Sequence, residues 1–561
     1  MYSLRIFNQD YSKYKLINDS QIELEYSQPE QIYGMFDGDI VDIIDGKITK
    51  IQDNSPSYIV GELELFSKYS FKPNKKNTPC YMFRPLDKKY PKFLVNSTLK
   101  RNFIKNVLVT IQIQKWENNT KFPRGTIIKN LGQINDKKAI QESLLLKRFL
   151  AINPLKCSFK DIPLQFVKMC KEYSDRELLN GDIISIDPDG CRDIDDAFSI
   201  KPKDKNIIID IHISDVYYLL TRLNIFDKVE NVTSIYLDSY IKGMLPDIIS
   251  SNVGSLIEKN NRFMLSVEII YNNEDNSIVS TRLRKTFGMI RKNYSYDNYP
   301  KKYNKYFKCI SEIYRLITNQ VIEVNDSHKF IEALMIVYNT IFSQITSEKS
   351  VQIYRIQQYN YNKKNVSSCD KSLQNFMNLI QSNSALYSTK QEGHSTLEIN
   401  NYTHATSPLR RIVDLMNQEI FYVNKCKLLQ KINLDYVNLF NKNLKKTYRD
   451  IHKILLAFNV YNNKSYSTKC YIYDFNIEKN NCYLFFPSEN MSIKTKLISY
   501  KLADKFIIDK NNNKIILKCE ETCQKNEIEM MKELNVQIYG KPNIFDPDKS
   551  IIIDFDLFSV Q

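Results

Sequence analysis

The chain has 561 residues and a formal net charge of +15, because 79 Lys and Arg residues outnumber 64 Asp and Glu residues. No run approaches the roughly 18 apolar residues that span a bilayer, which excludes an ordinary helical membrane protein. The basic balance favours a polyanionic partner, either nucleic acid or an anionic membrane surface, although a codon bias toward Lys, Asn, Ile and Tyr explains it equally well.

Short strands dominate the first quarter of the chain. Runs such as GDIVDIIDGKITKI and VLVTIQIQKW are rich in β-branched residues, and Gly and Pro punctuate them. We predict two small barrels, at 1–75 and 76–135. The next runs, QESLLLKRFLAI and LQFVKMCKEY, have helical periodicity, which predicts a helical connector at 136–180.

Residues 181–462 have a mixed pattern. GDIISID, AFSI and NIIIDIHIS are typical of strands, whereas HKFIEALMIVYNTIF and SPLRRIVDLMNQEIF place apolar residues on one helical face. In the second of these helices, Ser407 is predicted as the N-cap and Pro408 as the first helical residue. A third helix is predicted over about 434–458, and residues 463–561 return to short strands. The fold class predicted is an α+β domain, with a mixed sheet and long helices, flanked by small all-β barrels.

One loop of the mixed region concentrates negative charge. The segment IDPDGCRDIDDAFSI follows a predicted strand and carries Asp187, Asp189, Asp193, Asp195 and Asp196. Carboxylates this close repel one another, and a hard cation such as Mg²⁺, which prefers oxygen ligands, relieves the repulsion. A solvated acidic turn is the common alternative. An EF-hand calcium loop is excluded, since Arg192 and Phe198 stand where it needs Gly and Glu, and a helix N-cap cluster is disfavoured because strand-like sequence follows.

Four of these aspartates, at 187, 193, 195 and 196, reproduce the D-x5-D-x-D-D signature of the RNase II/RNase R family of exoribonucleases. The block resembles the eukaryotic branch, which includes the exosome-associated nuclease. A second block, YTHATSPLRRIVD at 402–414, is similar to the family's Y-T-H-F-T-S-P-I-R-R-Y-x-D. IHISDV at 211–216 and TSIYL at 233–237 are similar to V-H-I-A-D-V and T-S-V-Y-L.

The resemblance implies a hydrolase that removes nucleoside 5′-monophosphates from the 3′ end of single-stranded RNA. It implies Mg²⁺ as the cofactor, with Mn²⁺ as a substitute, and the metal ligands would be Asp187, Asp193, Asp195 and Asp196. Asp195, Arg410 and Arg411 would be the catalytic residues. A guanidinium offers a bidentate fork for phosphate, and Arg410 is the first choice for this role.

Four residues are implied as RNA contacts: Tyr236, Tyr296, Glu332 and His394. Tyr236 belongs to TSIYL, Tyr296 to NYSYDN, which resembles L-T-Y-D, and Glu332 to a helix that resembles L-I-E-E-F-M-x-x-A-N. Tyr296 also lies within 282–308, where cations alternate with aromatic residues, a mixture that suits single-stranded nucleic acid. Ordinary packing for the tyrosines and a solvated basic face for 282–308 remain alternatives. His394 and His404 match family positions, and each also fits a hydrogen-bonded structural His.

Two positions depart from the family pattern. Ala333 stands where the family has a second acid, and Gln357 replaces a His. These departures support an alternative function, a catalytically weak or inactive RNA-binding or regulatory protein on the same fold. The four intact aspartates and SPLRR argue against it, because a protein that only binds RNA has little use for mutually repelling acids.

The family's order of domains implies cold-shock-type OB barrels at 1–75 and 76–135, an RNB-type catalytic domain at 181–462 and an OB-like RNA-binding barrel at 463–561. The resemblance leaves no place for the amino-terminal endonuclease domain of some eukaryotic relatives. The expected partner is the 3′ end of single-stranded RNA, with no membrane and no small-molecule cofactor. We expect a monomer, and membership of an RNA-processing complex stays open. Eleven scattered cysteines without a secretion signal indicate the cytoplasm or another reducing intracellular compartment, the nucleus included.

Overall fold

The computed structural model describes residues 1–18, 23–26, 28–65, 77–99, 105–116, 121–150, 153, 155, 159–359, 370–463, 465–476, 481–496, 514–518, 525–529, 531 and 533–555. The closely spaced Cys519 and Cys523 lie outside these residues. Two compact units are formed, one by Met1–Ala151, Ser368–Gln374 and Asn443–Gln561, the other by Ile152–Ser367 and Asn375–Lys442. Among the described residues, no helix combines the length and apolar content needed to cross a bilayer.

The amino-terminal part of the first unit contains two β-sheets. The first has five strands in the order β3-β2-β1-β4-β5: β1 (Tyr2–Ile6), β2 (Tyr14–Ile17), β3 (Glu23–Tyr26), β4 (Ile40–Ile44) and β5 (Lys47–Gln52). The second is a closed barrel in the order β10-β8-β7-β6-β9: β6 (Ile59–Leu63), β7 (Cys80–Pro85), β8 (Phe93–Asn96), β9 (Val107–Ile113) and β10 (Arg124–Gln133). Both sheets contribute to one apolar cluster, which includes Phe36, Phe83 and Trp116.

Strand β6 differs from its predicted place. We grouped it with the first barrel, but it pairs with β7 and β9 of the second. All five of its residues are buried. Gly61 permits the close pairing, because a Cβ atom there would lie 2.3 Å from the carbonyl oxygen of Arg84.

Two helices occupy the region predicted as a connector: α1 (Lys137–Leu146) and α2 (Ile162–Lys171). The carboxylate of Asp136 caps α1 by accepting a hydrogen bond from the backbone N–H of Ala139 at 2.8 Å. The next strand begins at Glu177, slightly before the predicted end of the connector.

The second unit contains a closed five-stranded barrel and two short two-stranded sheets. Its strands are β11 (Glu177–Asp187), β12 (Asp196–Lys203), β13 (Asn206–Ser214), β14 (Ile235–Leu237), β15 (Tyr240–Lys242), β16 (Asn261–Asn272), β17 (Ser277–Ser295), β18 (Tyr354–Ile356) and β19 (Leu386–Ser388). The barrel order is β11-β12-β13-β16-β17, and β11 pairs with β17 in parallel. The two short sheets are β14-β15 and β18-β19. The predicted combination of mixed sheet and long helices is confirmed.

The helices that follow α2 are α3 (Val216–Arg222), α4 (Phe307–Thr318), α5 (Ser327–Thr346), α6 (Lys371–Gln381), α7 (Ile412–Val423), α8 (Lys427–Lys431) and α9 (Leu434–Asn462). Alternate residues of β13, such as Ile209 and Ile211, share one core with Phe330 and Val337 of α5. His212, which follows Ile211, is also buried, and its Nδ1 lies 2.7 Å from the hydroxyl of Ser266.

The predicted start of α7 is wrong. Arg411 is its N-cap, and Ser407 lies in a turn that precedes the helix. The backbone N–H of Ser407 donates instead to the carboxylate of Asp414 at 2.8 Å. The backbone N–H of Ser407 is therefore paired with a side chain inside the helix. A local capping pattern does not predict this arrangement.

The carboxy-terminal strands belong to the first unit. They are β20 (Tyr466–Asn476), β21 (Asn481–Phe486), β22 (Met491–Lys496), β23 (Lys514–Lys518), β24 (Lys525–Glu529), β25 (Glu533–Gly540) and β26 (Ile551–Phe555). Five of them form a sheet in the order β22-β21-β20-β25-β26, and β23 pairs with β24. Parts of the barrel predicted at 463–561, including 497–513 and 556–561, lie outside the described residues.

Candidate active site

The acidic loop joins two neighbouring strands of the barrel in the second unit. Asp187 ends β11, and Asp196 begins β12. Ser255 fixes the loop between them, because its hydroxyl accepts from the backbone N–H of Ile194 at 3.0 Å and donates to the carbonyl of Arg192 at 2.7 Å. A side chain about 60 residues away thus holds the backbone of the loop at Arg192 and Ile194. The loop carboxylates take no part in these two hydrogen bonds.

Asp195 connects the two sequence motifs. Its side chain is only 3% exposed. The backbone N–H of Leu409 donates to its Oδ1 at 2.8 Å, and the Nε of Arg410 lies 3.3 Å from its Oδ2. Burial raises the pKa of Asp195 to about 7 despite the nearby guanidinium. The acidic loop and the SPLRR segment therefore meet at one buried carboxylate.

The other aspartates of the motif share this electrostatic environment. Burial raises the pKa of Asp187 to about 6, and Asp193 adds to the shift. Burial also raises the pKa of Asp196 well above its usual value, with contributions from Asp187 and Asp195. Asp189 lies apart in an exposed turn, in agreement with its exclusion from the motif.

Asp193 has two partners of its own. The hydroxyl of Tyr236 donates to its Oδ2, and the thiol of Cys191 lies 3.9 Å from its Oδ1. Tyr236, predicted as an RNA contact, is thus part of the same site. Its ring is 42% exposed, so one end of the side chain holds a carboxylate while its ring stays accessible to a ligand.

The donor atoms suit a hard cation. The Oδ2 atoms of Asp187 and Asp195 are buried and have no hydrogen-bond partner in the described structure. Oδ2 of Asp195 already has the guanidinium of Arg410 at 3.3 Å, so Oδ2 of Asp187 is the one that most favours a further cation, and oxygen is the ligand that Mg²⁺ prefers. No group of three or more His, Cys, Asp or Glu side chains among the described residues has the spacing of a metal site. The chemistry of the four aspartates fits a divalent metal, and their side chains would have to converge further to bind it.

The two candidate arginines have different surroundings. The side chain of Arg410 is 44% exposed and donates to the hydroxyl of Ser407 at 3.0 Å. The side chain of Arg411 is 24% exposed and donates to the buried carboxylate of Asp414 at 2.7 Å. A second guanidinium nitrogen of Arg411 lies 3.1 Å from Nδ1 of His404. Arg410 is therefore the one available to a phosphate, and Arg411 is held by its neighbours.

The two histidines that match family positions, His394 and His404, have the surroundings of structural residues. Burial lowers the pKa of His404 well below its usual value, with Arg411 adding to the effect, and the hydroxyl of Tyr387 lies 2.9 Å from its Nδ1. Burial, together with Arg355, lowers the pKa of His394 to about 4. Both rings are neutral near pH 7. The role of His394 as an RNA contact stays a prediction.

Tyr296 is brought to the acidic loop, and Glu332 is not in contact with it. The backbone N–H of Tyr296 donates to the carbonyl of Asp187 at 3.2 Å. Burial raises the pKa of Tyr296 to about 12, and Asp196 and Asp187 contribute. Glu332 lies on α5, where its carboxylate forms an exposed ion pair with Lys329 at 2.7 Å.

Three aromatic residues that follow Tyr296 do not offer their rings to a ligand. Tyr299, Tyr303 and Tyr306 are buried in the core of the second unit. Lys301 and Lys305 lie over the first and last of these rings, at 4.2 and 5.0 Å from the centroids. This part of 282–308 is therefore a basic face above buried aromatic residues, the alternative to the base-stacking surface.

The two departures from the family pattern are well accommodated. Ala333 is completely buried, so a carboxylate there would need a partner in the core. Gln357 is also buried; its amide nitrogen donates to the carbonyl of Asn383 at 2.7 Å, and its oxygen accepts from the backbone N–H of Thr396 at 3.0 Å. Gln357 thus links the backbone at Asn383 to the backbone at Thr396 by two hydrogen bonds.

Sequence reasoning missed several residues that shape the site. Ser255 orients the acidic loop, and Asp414 holds both Ser407 and Arg411. The side-chain oxygen of Asn339, on α5, accepts from the backbone N–H of Ala405 at 2.8 Å. A polar residue within an apolar helical run was a signal for Asp414 and Asn339; no local pattern marks Ser255.

Comparisons with known proteins agree with both motifs. Residues 175–308 and 302–423 match the RNB domain, and residues 80–148 match the Dis3-like cold-shock domain 2 (CSD2). The exosome complex exonuclease RRP44 of Mus musculus is 28% identical over 232 residues, which make up 40% of this chain and 23% of the relative. The match thus spans less than a quarter of that relative's length.

Two solved structures share the fold. Mycoplasma genitalium RNase R in complex with ribose-methylated single-stranded RNA has a TM-score of 0.74 at 17% identity, over 99% of this chain and 100% of that chain. Yeast Ssd1, a pseudonuclease, has a TM-score of 0.62 at 12% identity, over 99% and 96%. At these identities the likeness establishes the fold and not the activity.

The family models cover the segments on which the site depends. The RNB domain includes the acidic loop and SPLRR, which meet at Asp195. The cold-shock match includes strands β7–β10 of the closed barrel in the first unit. The predicted combination of an α+β domain with OB-type barrels is therefore confirmed. Residues 175–423 thus carry an RNB domain and residues 80–148 a Dis3-like cold-shock domain, which makes the chain similar to the RNase II/RNase R exoribonucleases.

Proposed function

We propose that this protein is a 3′→5′ exoribonuclease that hydrolyses single-stranded RNA to nucleoside 5′-monophosphates with Mg²⁺, for which Mn²⁺ substitutes. The observation that carries the proposal is the meeting of the acidic loop and SPLRR at Asp195, with the half-exposed guanidinium of Arg410 beside it. Paired carboxylates and a cation at one place suit phosphodiester hydrolysis. The RNB domain and the likeness to an exosome exonuclease support the same reaction.

Asp187, Asp193, Asp195 and Asp196 would hold the metal. When bound, Mg²⁺ supplies Lewis-acid activation of a water and neutralises charge on the scissile phosphate. Arg410 binds a non-bridging phosphate oxygen and stabilises the charge that develops there. Tyr236 and Tyr296 hold the last nucleotides in register by ring contacts. Buried Asp195 orients Arg410 through its Oδ2, and Leu409 orients Asp195.

RNA is the proposed partner of the first unit as well. Its closed barrel matches a cold-shock domain, a fold that binds single-stranded nucleic acid. The seven described cysteines that the structure identifies as free thiols support a reducing intracellular compartment.

The second candidate function is RNA binding without catalysis. Yeast Ssd1, a pseudonuclease, shares the fold. The described carboxylates do not form a three-ligand cluster, which is the specific observation in favour of this candidate. Binding would then depend on the tyrosines and cations, and the aspartates would serve only to order the loop.

One assay separates the two functions. RNA labelled at its 5′ end is incubated with the protein in Mg²⁺, and we expect a ladder of 3′-shortened products that EDTA abolishes. Asp195→Asn should abolish cleavage and keep RNA binding, whereas Asp189→Asn, in the exposed turn outside the motif, should retain both. Binding without shortening in Mg²⁺ and Mn²⁺ would support the second function. Equal activity of the wild-type protein and Asp195→Asn would rule out the proposed site.

A further inference from the structure

A second ring lies against Tyr296. The ring of His328 is stacked on it, with centroids 3.8 Å apart and planes inclined by 14°. His328 is exposed, while Tyr296 is half-buried. The pair therefore forms a two-ring stack beside the acidic loop, with Tyr296 the more buried ring.

The stack is anchored at both ends. The hydroxyl of Ser327, which precedes His328, donates to the carbonyl of Tyr296 at 2.9 Å. Asp326 caps the same helix by accepting from the backbone N–H of Lys329 at 2.7 Å. The start of α5 is thus capped and hydrogen-bonded to Tyr296, the residue on whose ring His328 stacks.

Tyr296 connects this helix start to the acidic loop through the hydrogen bond between its N–H and the carbonyl of Asp187. The side chain of a tyrosine turns about two bonds, and a flat neighbour on one face limits that rotation. A ring with a fixed plane presents its remaining surface to a ligand at lower entropic cost.

We infer that His328 is a positioning residue, which fixes the plane of the Tyr296 ring and thereby the placement of the last nucleotide of the RNA. This inference rests on the proposed function, since it assigns Tyr296 a contact with RNA. His328 acts through Tyr296 and takes no part in the chemistry. Its flat surface is what matters, so another planar apolar ring should replace it.

The test compares His328→Leu, which removes the flat face, with His328→Phe, which keeps it. RNA carrying 2-aminopurine as its 3′-terminal base is titrated with each protein in EDTA, where no cleavage occurs, and quenching reports stacking of that base. For His328→Leu we expect reduced quenching and a KM for RNA raised about two- to tenfold, as for the loss of one aromatic pair, with a smaller change in kcat. His328→Phe should restore both. His452→Leu, which changes an exposed histidine on α9, is the matched control and should behave as wild type.

The outcomes distinguish this inference from the proposed function. If Leu and Phe variants are equally impaired, or if neither differs from wild type, His328 does not position the ring. Thermal melts verify that both variants are folded. If wild type quenches 2-aminopurine but does not cleave RNA, the exonuclease proposal fails and the quenching comparison still decides the role of His328. If wild type cleaves without quenching, the inference is overturned.

Discussion

At the scale of single residues, the main feature is a charge that the fold buries. Asp195 is almost completely enclosed and its pKa is raised to about 7 by burial. The folded protein therefore retains a proton that the unfolded chain releases between about pH 4 and pH 7. The contribution of Asp195 to the free energy of unfolding therefore decreases as the pH rises through that window. This loss of stability is the cost of burying a carboxylate where a cation is proposed to bind.

Asp195→Asn should remove that cost. We expect a higher free energy of unfolding than wild type at pH 8 in EDTA, by at most roughly 4 kcal/mol, because the amide keeps an acceptor for Leu409 without a charge. At pH 4 the two proteins should be equally stable. Urea unfolding at both pH values checks this, with Asp189→Asn as the exposed control. A loss of stability at pH 8 would contradict the burial argument.

Removal of Arg411 should mainly lower the stability of the protein, whereas removal of Arg410 should mainly lower the cleavage rate. Arg411→Ala leaves Asp414 buried without its guanidinium partner, which costs about 3–5 kcal/mol for a buried pair. Arg410→Ala removes a half-exposed side chain, so it should affect stability little but lower the single-turnover rate by roughly 10²–10³-fold. Urea unfolding and single-turnover cleavage measure the two effects. A large rate loss in Arg411→Ala with full stability would reverse the assignment.

At the scale of elements, periodicity predicted what is local. The strands around GDIISID and NIIIDIHIS and the helices α5 and α9 lie where the patterns placed them. Several consecutive residues of each of these two strands are buried, so β-branched apolar runs, rather than an alternation, mark them. The N-cap predicted for α7 was wrong, because the carboxylate of Asp414 accepts the hydrogen bond of the backbone N–H of Ser407 in the turn before the helix. For 282–308 the sequence left a base-stacking surface and a basic face both open, since a pattern of cations and aromatics does not show that Tyr299 and Tyr303 face the core.

Close contacts between elements lead to a prediction for the first unit. A Cβ atom at Gly540, at the end of β25, would lie 1.9 Å from the carbonyl of Ala457 in α9. Gly540→Ala should therefore force the strand away from the helix and destabilise this unit. Gly46→Ala is the comparison, because no atom lies within 4 Å and only its left-handed backbone is strained, at roughly 1–2 kcal/mol. Thermal melts should show the larger loss for Gly540→Ala.

At the scale of the whole molecule, the sequence motifs indicated candidate site residues but not the long-range contacts between them. The four aspartates and the two arginines could be proposed as site residues because their spacing is local, and the fold class was predicted correctly. The contact of Asp195 with Leu409 joins residues 214 positions apart. No local sequence pattern indicates the hydrogen bonds by which Ser255 holds the acidic loop. Such contacts depend on tertiary packing, which periodicity does not encode.

The first unit is built from both ends of the sequence. The guanidinium of Arg84 on β7 lies 3.9 Å from the ring centre of Phe545, and Lys88 forms an ion pair with Asp546 at 3.2 Å. During synthesis the residues of the second unit leave the ribosome before these late partners do. The contacts of Arg84 and Lys88 with these late residues must therefore wait for more than 400 residues of translation, although the strands of the barrel itself are all made early. The second unit, whose segments end at Lys442, is free to fold during that interval.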